Sequence, residues 1–256
     1  MNLVFDIGNT NIKTGVFENG KLMSSWRMAA DPQKTADEYG IQICAFFDYI
    51  QCKTSDVRGI MISSVMPSIN YTIEHTCQEY FKKTPLFVGP GIKTGINLRY
   101  DNQRELGADR ICNAVAAYKL YGGPCITVDF GTATTFGVVA EKGDFIGGAI
   151  CPGIKISIDA LVERTSMLTK VELVKPPRAI ATNSAQGIQS GIFYGFVGQV
   201  DYIIDKLCEE LKAEAQVIAT GGMANLLVGA LRTKMQINPT LTLQGLNMLY
   251  ETNRGE

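Results

Sequence analysis

Leu3-Val4-Phe5 is an apolar run that stops at Asp6; the chain is polar through Gly8-Asn9-Thr10-Asn11, and hydrophobic positions return from Ile12 to Phe17. That pattern predicts strand, turn, strand. Asn19-Gly20 is a hairpin signal and leads into a third strand over 21–28. From 35 to 50 the apolar spacing becomes helical, with Ile41, Cys44, Ala45 and Tyr49 near one face. Next come a short buried strand over 57–63, a helix over 67–81 opened by Pro67, and a strand over 86–88. A helix over 107–118 follows, with Ile111, Val115 and Tyr118 spaced for one face.

The pattern then recurs. At an offset of 123 residues Asp6 meets Asp129, Gly8 meets Gly131, Val16 meets Val139, Glu18 meets Glu141 and Gly20 meets Gly143. Leu3, Ile7 and Leu22 meet Ile126, Phe130 and Phe145. Two unrelated meanders could share five identities, but the common order of Asp, Gly and hairpin favours a duplicated β-β-β-α-β-α architecture. The second copy continues with a helix over 152–163 and a connector holding Pro176-Pro177. A long helical region over 183–211 is expected to break near Gly195 and Gly198. A strand over 215–220 ends in Gly221-Gly222, and helices are expected over 223–231 and 243–251. The expected halves are 1–118 and 119–256, each a mixed β-sheet with flanking helices, with a cleft between them.

Composition narrows the chemistry. Lys plus Arg number 24 and Asp plus Glu 25 in 256 residues, a net charge of −1, which argues against a nucleic-acid binder held by bulk positive charge. A hydrophobic fraction of 46% with 19% charged residues suits a packed globular protein. His75 is the single histidine, so no zinc site can be built on several imidazoles, and proton chemistry is expected to rest on carboxylates. The seven cysteines are odd in number and form no C-x-x-C pair, which argues against a disulfide scaffold. Asp6 interrupts the first apolar run, and no window nears the roughly 18 apolar residues of a membrane span, so a soluble cytoplasmic protein is expected.

Four segments carry candidate chemistry. In Asp6-Ile7-Gly8-Asn9-Thr10-Asn11-Ile12-Lys13 a strand-end carboxylate precedes a glycine that admits a phosphate to the backbone, with amide donors and a cation following. The bland alternative is an ordinary hairpin with Asx turns. Val128-Asp129-Phe130-Gly131-Thr132-Ala133-Thr134-Thr135 repeats the design with hydroxyls, and each Asp is a hard oxygen ligand suited to Mg²⁺ or K⁺. Its alternative is a Thr-rich hairpin chosen for β-propensity. Thr220-Gly221-Gly222 suits a nucleoside against bare backbone, or a tight strand-to-helix turn. Gly107-Ala108-Asp109-Arg110 offers a base and a guanidinium, or a helix cap beside a surface pair.

Together these segments resemble the type III pantothenate kinases, of the superfamily of acetate and sugar kinases, heat-shock ATPases and actin. The matching motifs include Gly147-Gly148 with Pro152-Gly153 and Gln189-Ser190-Gly191, and Gly107–Arg110 makes the likeness specific. The resemblance implies two ribonuclease H-like (actin-like ATPase) domains and ATP-dependent phosphorylation of pantothenate, the first step of coenzyme A synthesis. It implies ATP binding by Asp6, Ile7, Gly8, Asn9, Thr10, Asn11, Ile12, Lys13 and Thr132, and Asp109 as proton acceptor. It further implies pantothenate binding by Tyr100, Gly107, Ala108, Asp109, Arg110 and Ser184, and a monovalent cation, K⁺ or NH₄⁺, on Asp129. Mg²⁺ accompanies ATP, and a homodimer is implied, with neither nucleic acid nor membrane as partner. Three positions depart from the family pattern: Ser184 stands for Thr, Gly137 for a common Asp, and Asn238 for a frequent Asp. Two other readings stay open, a kinase for a different sugar or carboxylic acid on the same fold, and a regulator that uses nucleotide binding to switch partners.

Overall fold

The computed structural model describes residues 1–255. Its elements begin with β1 (Asn2–Ile7), β2 (Asn11–Glu18), β3 (Lys21–Ala29), α1 (Ala36–Tyr49), β4 (Gly59–Ser64), α2 (Asn70–Phe81), β5 (Leu86–Phe87), β6 (Asn97–Leu98) and α3 (Ala108–Tyr121). They continue with β7 (Cys125–Phe130), β8 (Ala133–Val139), β9 (Asp144–Gly147), β10 (Ile150–Pro152), α4 (Ile154–Glu163), α5 (Ser184–Leu211), β11 (Gln216–Thr220), α6 (Ala224–Leu227), β12 (Gln236–Ile237) and α7 (Leu241–Asn253). Two compact units result, Met1–Ala116 with Thr240–Glu256, and Ala117–Pro239.

In the first unit the sheet order is β3-β2-β1-β4-β5. β1, β2 and β3 are antiparallel neighbours, whereas β1, β4 and β5 run parallel. Leu3, Phe5 and Ile7 alternate onto one face with Ile60 and Ile62 and pack with Ile43, Phe47, Ile73 and Phe81 of α1 and α2. Burying one such side chain contributes about 1.5–3 kcal/mol, so a slip of one residue in β1 would forfeit several at once. The same alternation turns Val4 and Asp6 to the other face.

Chain order assigns the C-terminal helix to the second half, but α7 packs on β1 and β4 of the first unit. It buries Leu241, Leu243, Leu246 and Leu249, and Asn2 Nδ2 donates to Asn247 Oδ1 at 2.9 Å and to Glu251 Oε1 at 2.7 Å. Helix α1 begins where a capping box places it: the Glu38 N–H donates to Thr35 Oγ1 and the Thr35 N–H to Glu38 Oε2. Its core face is Tyr39, Gly40, Ile43 and Phe47, not the face predicted from Ile41 and Tyr49, which are 64% and 86% exposed. Gly40 decides the orientation, because the Tyr80 ring occupies the space a Cβ would need.

The second unit repeats the topology as β12-β11-β7-β8-β9, with β10 beside β8. Ile126, Val128, Phe130, Phe136 and Val138 face Ile154 and Ile158 of α4 and Phe193, Phe196, Val200 and Ile204 of α5. Helix α5 runs 28 residues without the expected break. Gly195 and Gly198 lie on its exposed side, and a glycine penalty of about 1 kcal/mol each is small beside the apolar face that holds the helix down. The helix expected over 223–231 is one short turn, α6, followed by a 3₁₀ turn at Val228–Ala230.

The internal repeat is real but slips. Four residues separate the paired Ile7 and Ile12, and only three separate Phe130 and Thr134. Val16 therefore lies across from Leu3, while Val138, not Val139, lies across from Ile126. The shift is recovered at the next hairpin, where Gly20 and Gly143 take φ of 77° and 83°. Asp6/Asp129, Gly8/Gly131 and Gly20/Gly143 are structural equivalents; Val16/Val139 and Glu18/Glu141 are not.

Candidate active site

Asp6 is the next-to-last residue of β1, on the face away from the aliphatic core, and is 8% exposed. Lys13, its cross-strand partner, brings Nζ to 3.6 Å from Asp6 Oδ2. The intervening turn is closed by the Gly8 N–H donating to the Asn11 carbonyl at 3.0 Å. Asn9, Thr10 and Asn11 are exposed, whereas Ile7 and Ile12 are buried in the core. The two isoleucines can thus offer a ligand only backbone groups.

Asp109 is the second residue of α3 rather than its cap, and its Oδ1 accepts from the Arg110 N–H at 2.8 Å. The carboxylate folds back over Gly107, where a Cβ would come within 2.6 Å of Asp109 Oδ1. A side chain at 107 would therefore displace the Asp109 carboxylate from this position. Arg110 is buried, and its guanidinium carbon lies 5.9 Å from the centroid of the Tyr100 ring. Tyr100, Gly107, Asp109 and Arg110 thus form one local group.

Sequence reading missed one buried residue that feels the charge of both Asp6 and Asp109. Cys112 is fully buried, and its thiol lies against the Ser63 hydroxyl. Burial pushes the thiol well above its ordinary range, and the negative charges of Asp6 and Asp109 push it further. Both carboxylates thus lie within electrostatic range of one buried thiol. Nothing in the sequence marks Cys112, since its spacing from Asp109 reads only as the next turn of a helix.

In the second unit Asp129 occupies the position in β7 that Asp6 has in β1, and the Gly131 N–H donates to the Ala133 carbonyl at 3.1 Å. Thr132 at the tip is exposed. Gly221, at φ 92°, leaves room for the carboxylate: a Cβ there would lie 2.5 Å from Asp129 Oδ1 and 2.6 Å from the Phe130 backbone. Gly153 does the same beneath Thr132, whose carbonyl fills the space of a Cβ. The glycine motifs thus pack around the Thr-rich turn. Asn238 Nδ2 donates to Tyr121 Oη at 3.0 Å, a bond that the more frequent Asp would have to accept instead.

Ser184 is the exposed first residue of α5, after Asn183, whose Oδ1 accepts from the Gln186 N–H. The segment 164–183 before it has neither helix nor strand. Two side chains of the Gln189-Ser190 motif hold that segment: Gln189 Nε2 donates to the Glu172 carbonyl at 2.8 Å and Ser190 Oγ to the Ala179 carbonyl at 2.7 Å.

Among the described residues no group of three or more His, Cys, Asp or Glu could by itself hold a metal ion. The available donors are single carboxylates, hydroxyls and carbonyls. That set fits a cation whose remaining ligands are phosphate oxygens and water better than a cation caged by protein. His75 lies exposed on α2, stacked on Tyr71 with ring centroids 6.2 Å apart. All seven cysteines are free, and no helix among the described residues is long and apolar enough to cross a membrane.

Comparison with known proteins gives one family model, type III pantothenate kinase, matching residues 2–206. That match takes in the first three candidate segments along the chain and ends before Thr220-Gly221-Gly222. Among solved structures, a Campylobacter jejuni protein described as a Baf family transcriptional activator is 18% identical, with a TM-score of 0.61 over 99% of this chain and all of that one. The ethanolamine utilization protein EutJ from Carboxydothermus hydrogenoformans is 14% identical, with a TM-score of 0.56 over 97% of this chain and 89% of that one. The inorganic polyphosphate/ATP-glucomannokinase of Arthrobacter sp. strain KM is 14% identical, with a TM-score of 0.51 over 96% of each chain. At such identities the likeness is one of fold: α/β, with the mixed sheets of actin-like ATPases.

Proposed function

We propose, because the chain belongs to the type III pantothenate kinase family, that it transfers the γ-phosphoryl group of ATP to the primary hydroxyl of pantothenate, with Asp109 as the base. The product is 4′-phosphopantothenate. The observation that carries this reading is the family match over residues 2–206; the electrostatic influence of both Asp6 and Asp109 on the buried Cys112 thiol supports their working together.

In this reading the backbone N–H groups of the turn beyond Gly8 and the Lys13 ammonium bind phosphate oxygens, and Thr132 adds a hydroxyl. Arg110 and Tyr100 orient the anionic substrate, with Ser184 as a further hydrogen-bonding group. The Asp109 carboxylate accepts the hydroxyl proton as the new O–P bond forms and the bond to the β-phosphate oxygen breaks. Asp129 would hold the monovalent cation, K⁺ or NH₄⁺, and Mg²⁺ would enter with ATP; bound cations supply neutralisation of the phosphate charge. Positioning and charge supply most of phosphoryl transfer, so a chain with one histidine has the groups the reaction needs. A cytoplasmic homodimer completes the reading.

The test is ATP consumption with and without pantothenate, beside a panel of sugars and small carboxylic acids. Turnover only with pantothenate supports the reading. Turnover with another acceptor redirects the substrate, and none with any acceptor favours a nucleotide-switched regulator.

A further inference from the structure

The two units repeat more than a strand-end carboxylate. Asp6 lies directly across from Ser63 on the parallel pair β1/β4, and Asp129 lies directly across from Thr220 on the parallel pair β7/β11. The preceding residues in each pair, Phe5 with Ile62 and Val128 with Ala219, face the aliphatic cores. Alternation therefore puts each Asp and its hydroxyl neighbour together on the opposite face. Ser63 and Thr220 are 0% and 1% exposed; Thr220 Oγ1 has no hydrogen-bond partner, and Ser63 Oγ has at most the weakly accepting thiol of Cys112 beside it.

A buried hydroxyl without a partner destabilises the fold, and Ala or Val in its place would remove that penalty. Thr14 and Thr134 are also unpartnered, but each lies across from a core phenylalanine, Phe5 or Phe130, where strand propensity accounts for Thr. Ser63 and Thr220 differ in sitting beside the carboxylates of the two phosphate-type turns, at equivalent places in the repeat. In the first unit the charge beside Asp6 is Lys13, for which the oxygens of a bound phosphate would compete. Ser63 is the buried hydroxyl in register with Asp6 and can donate to that carboxylate when its surroundings change.

We propose that Ser63 and Thr220 are paired positioning residues. When nucleotide and its cation are bound, each donates its hydroxyl proton to one oxygen of the neighbouring Asp, leaving the other oxygen directed at the ligand. The inference rests on the kinase reading for the identity of that ligand, Mg²⁺ with ATP. Neither hydroxyl touches the reacting atoms.

The experiment compares S63A and T220V with the hydroxyl-retaining S63T and T220S, in the full chain. It measures Mg-ATP affinity by calorimetry, the melting temperature without ligand, and steady-state kinetics. Expected are Mg-ATP affinities roughly tenfold or more weaker for S63A and T220V, with melting temperatures unchanged or higher and S63T and T220S near wild type. Wild-type affinity in S63A and T220V overturns the proposal. So does a fall in melting temperature in S63A and T220V that S63T and T220S restore, which would make the hydroxyls structural. If wild type binds Mg-ATP but ignores pantothenate, the substrate reading fails while the affinity comparison still decides the hydroxyls. A wild type that binds no Mg-ATP overturns both.

Discussion

Gly137 is the counterpart of Gly15: one lies across from Thr127 and the other across from Val4, and a third-strand side chain packs over each. A Cβ at Gly15 would meet Leu22 Cδ1 at 3.2 Å, and one at Gly137 would meet Phe145 Cε2 at 3.2 Å and Thr127 Oγ1 at 2.7 Å. The departure from an Asp at 137 is therefore matched by the packing around it. G137D is expected to destabilise the protein by about 2–4 kcal/mol, through overpacking and a carboxylate buried among apolar groups. The urea midpoint checks this, and an unchanged midpoint would contradict it.

Asp109 can be tested without disturbing its surroundings. Asn at 109 keeps an oxygen to accept from the Arg110 N–H and keeps the contact with Gly107. D109N should retain Mg-ATP affinity and lose turnover by about 10²–10⁴-fold, the range of a general base. Turnover near wild type would remove Asp109 from the reaction.

Asp201 gives the pH dependence of stability a specific source. Burial alone would raise its pKa, but N–H groups of Arg232 and Thr233, the Thr233 hydroxyl and the Arg232 charge outweigh burial and lower it. A lowered folded-state pKa means stability that is complete above the ordinary Asp value, about 3.9, and is lost as pH falls through the folded value. D201N should cost about 1–3 kcal/mol at pH 7 and flatten the loss of stability below about pH 4. Urea titrations at pH 7 and pH 3 decide it; equal pH dependence in both proteins would exclude this source.

Much of this was legible in the sequence because it is local. The strand-end Asp, the glycine turn and the Asn19-Gly20 hairpin are short-range signals, and the parallel helix-linked strands follow from them. The errors share a physical cause, tertiary partners far along the chain. Tyr80 selects the buried face of α1 through Gly40, and Asn2 draws α7 back to β1 through Asn247 and Glu251. The slip of the repeat to an offset of 122 in β8 follows from one residue fewer in a turn, which identity counting cannot see. Cys112 and Ser63 carried no sequence signal, since their meaning lies in what is opposite them.

The Gln189-Ser190 motif has a consequence for the proposed role of Ser184 in binding pantothenate. Its two bonds to carbonyls of residues 172 and 179 hold the segment that ends at Ser184. Q189A and S190A together should raise the KM for pantothenate several-fold with little change in the KM for ATP, and should speed proteolysis within 164–183, since each bond contributes about 0.5–1.5 kcal/mol. Equal shifts in both KM values would point to a general loss of folding instead.

The most direct measurement is a coupled assay of ATP consumption by the full chain, run with and without pantothenate, in K⁺ and again in Na⁺. Pantothenate-dependent turnover at catalytic rates in K⁺, much reduced in Na⁺, is the expected result. Consumption indifferent to pantothenate, or none under either salt, would contradict the assignment of Asp109 and Asp129 to this reaction.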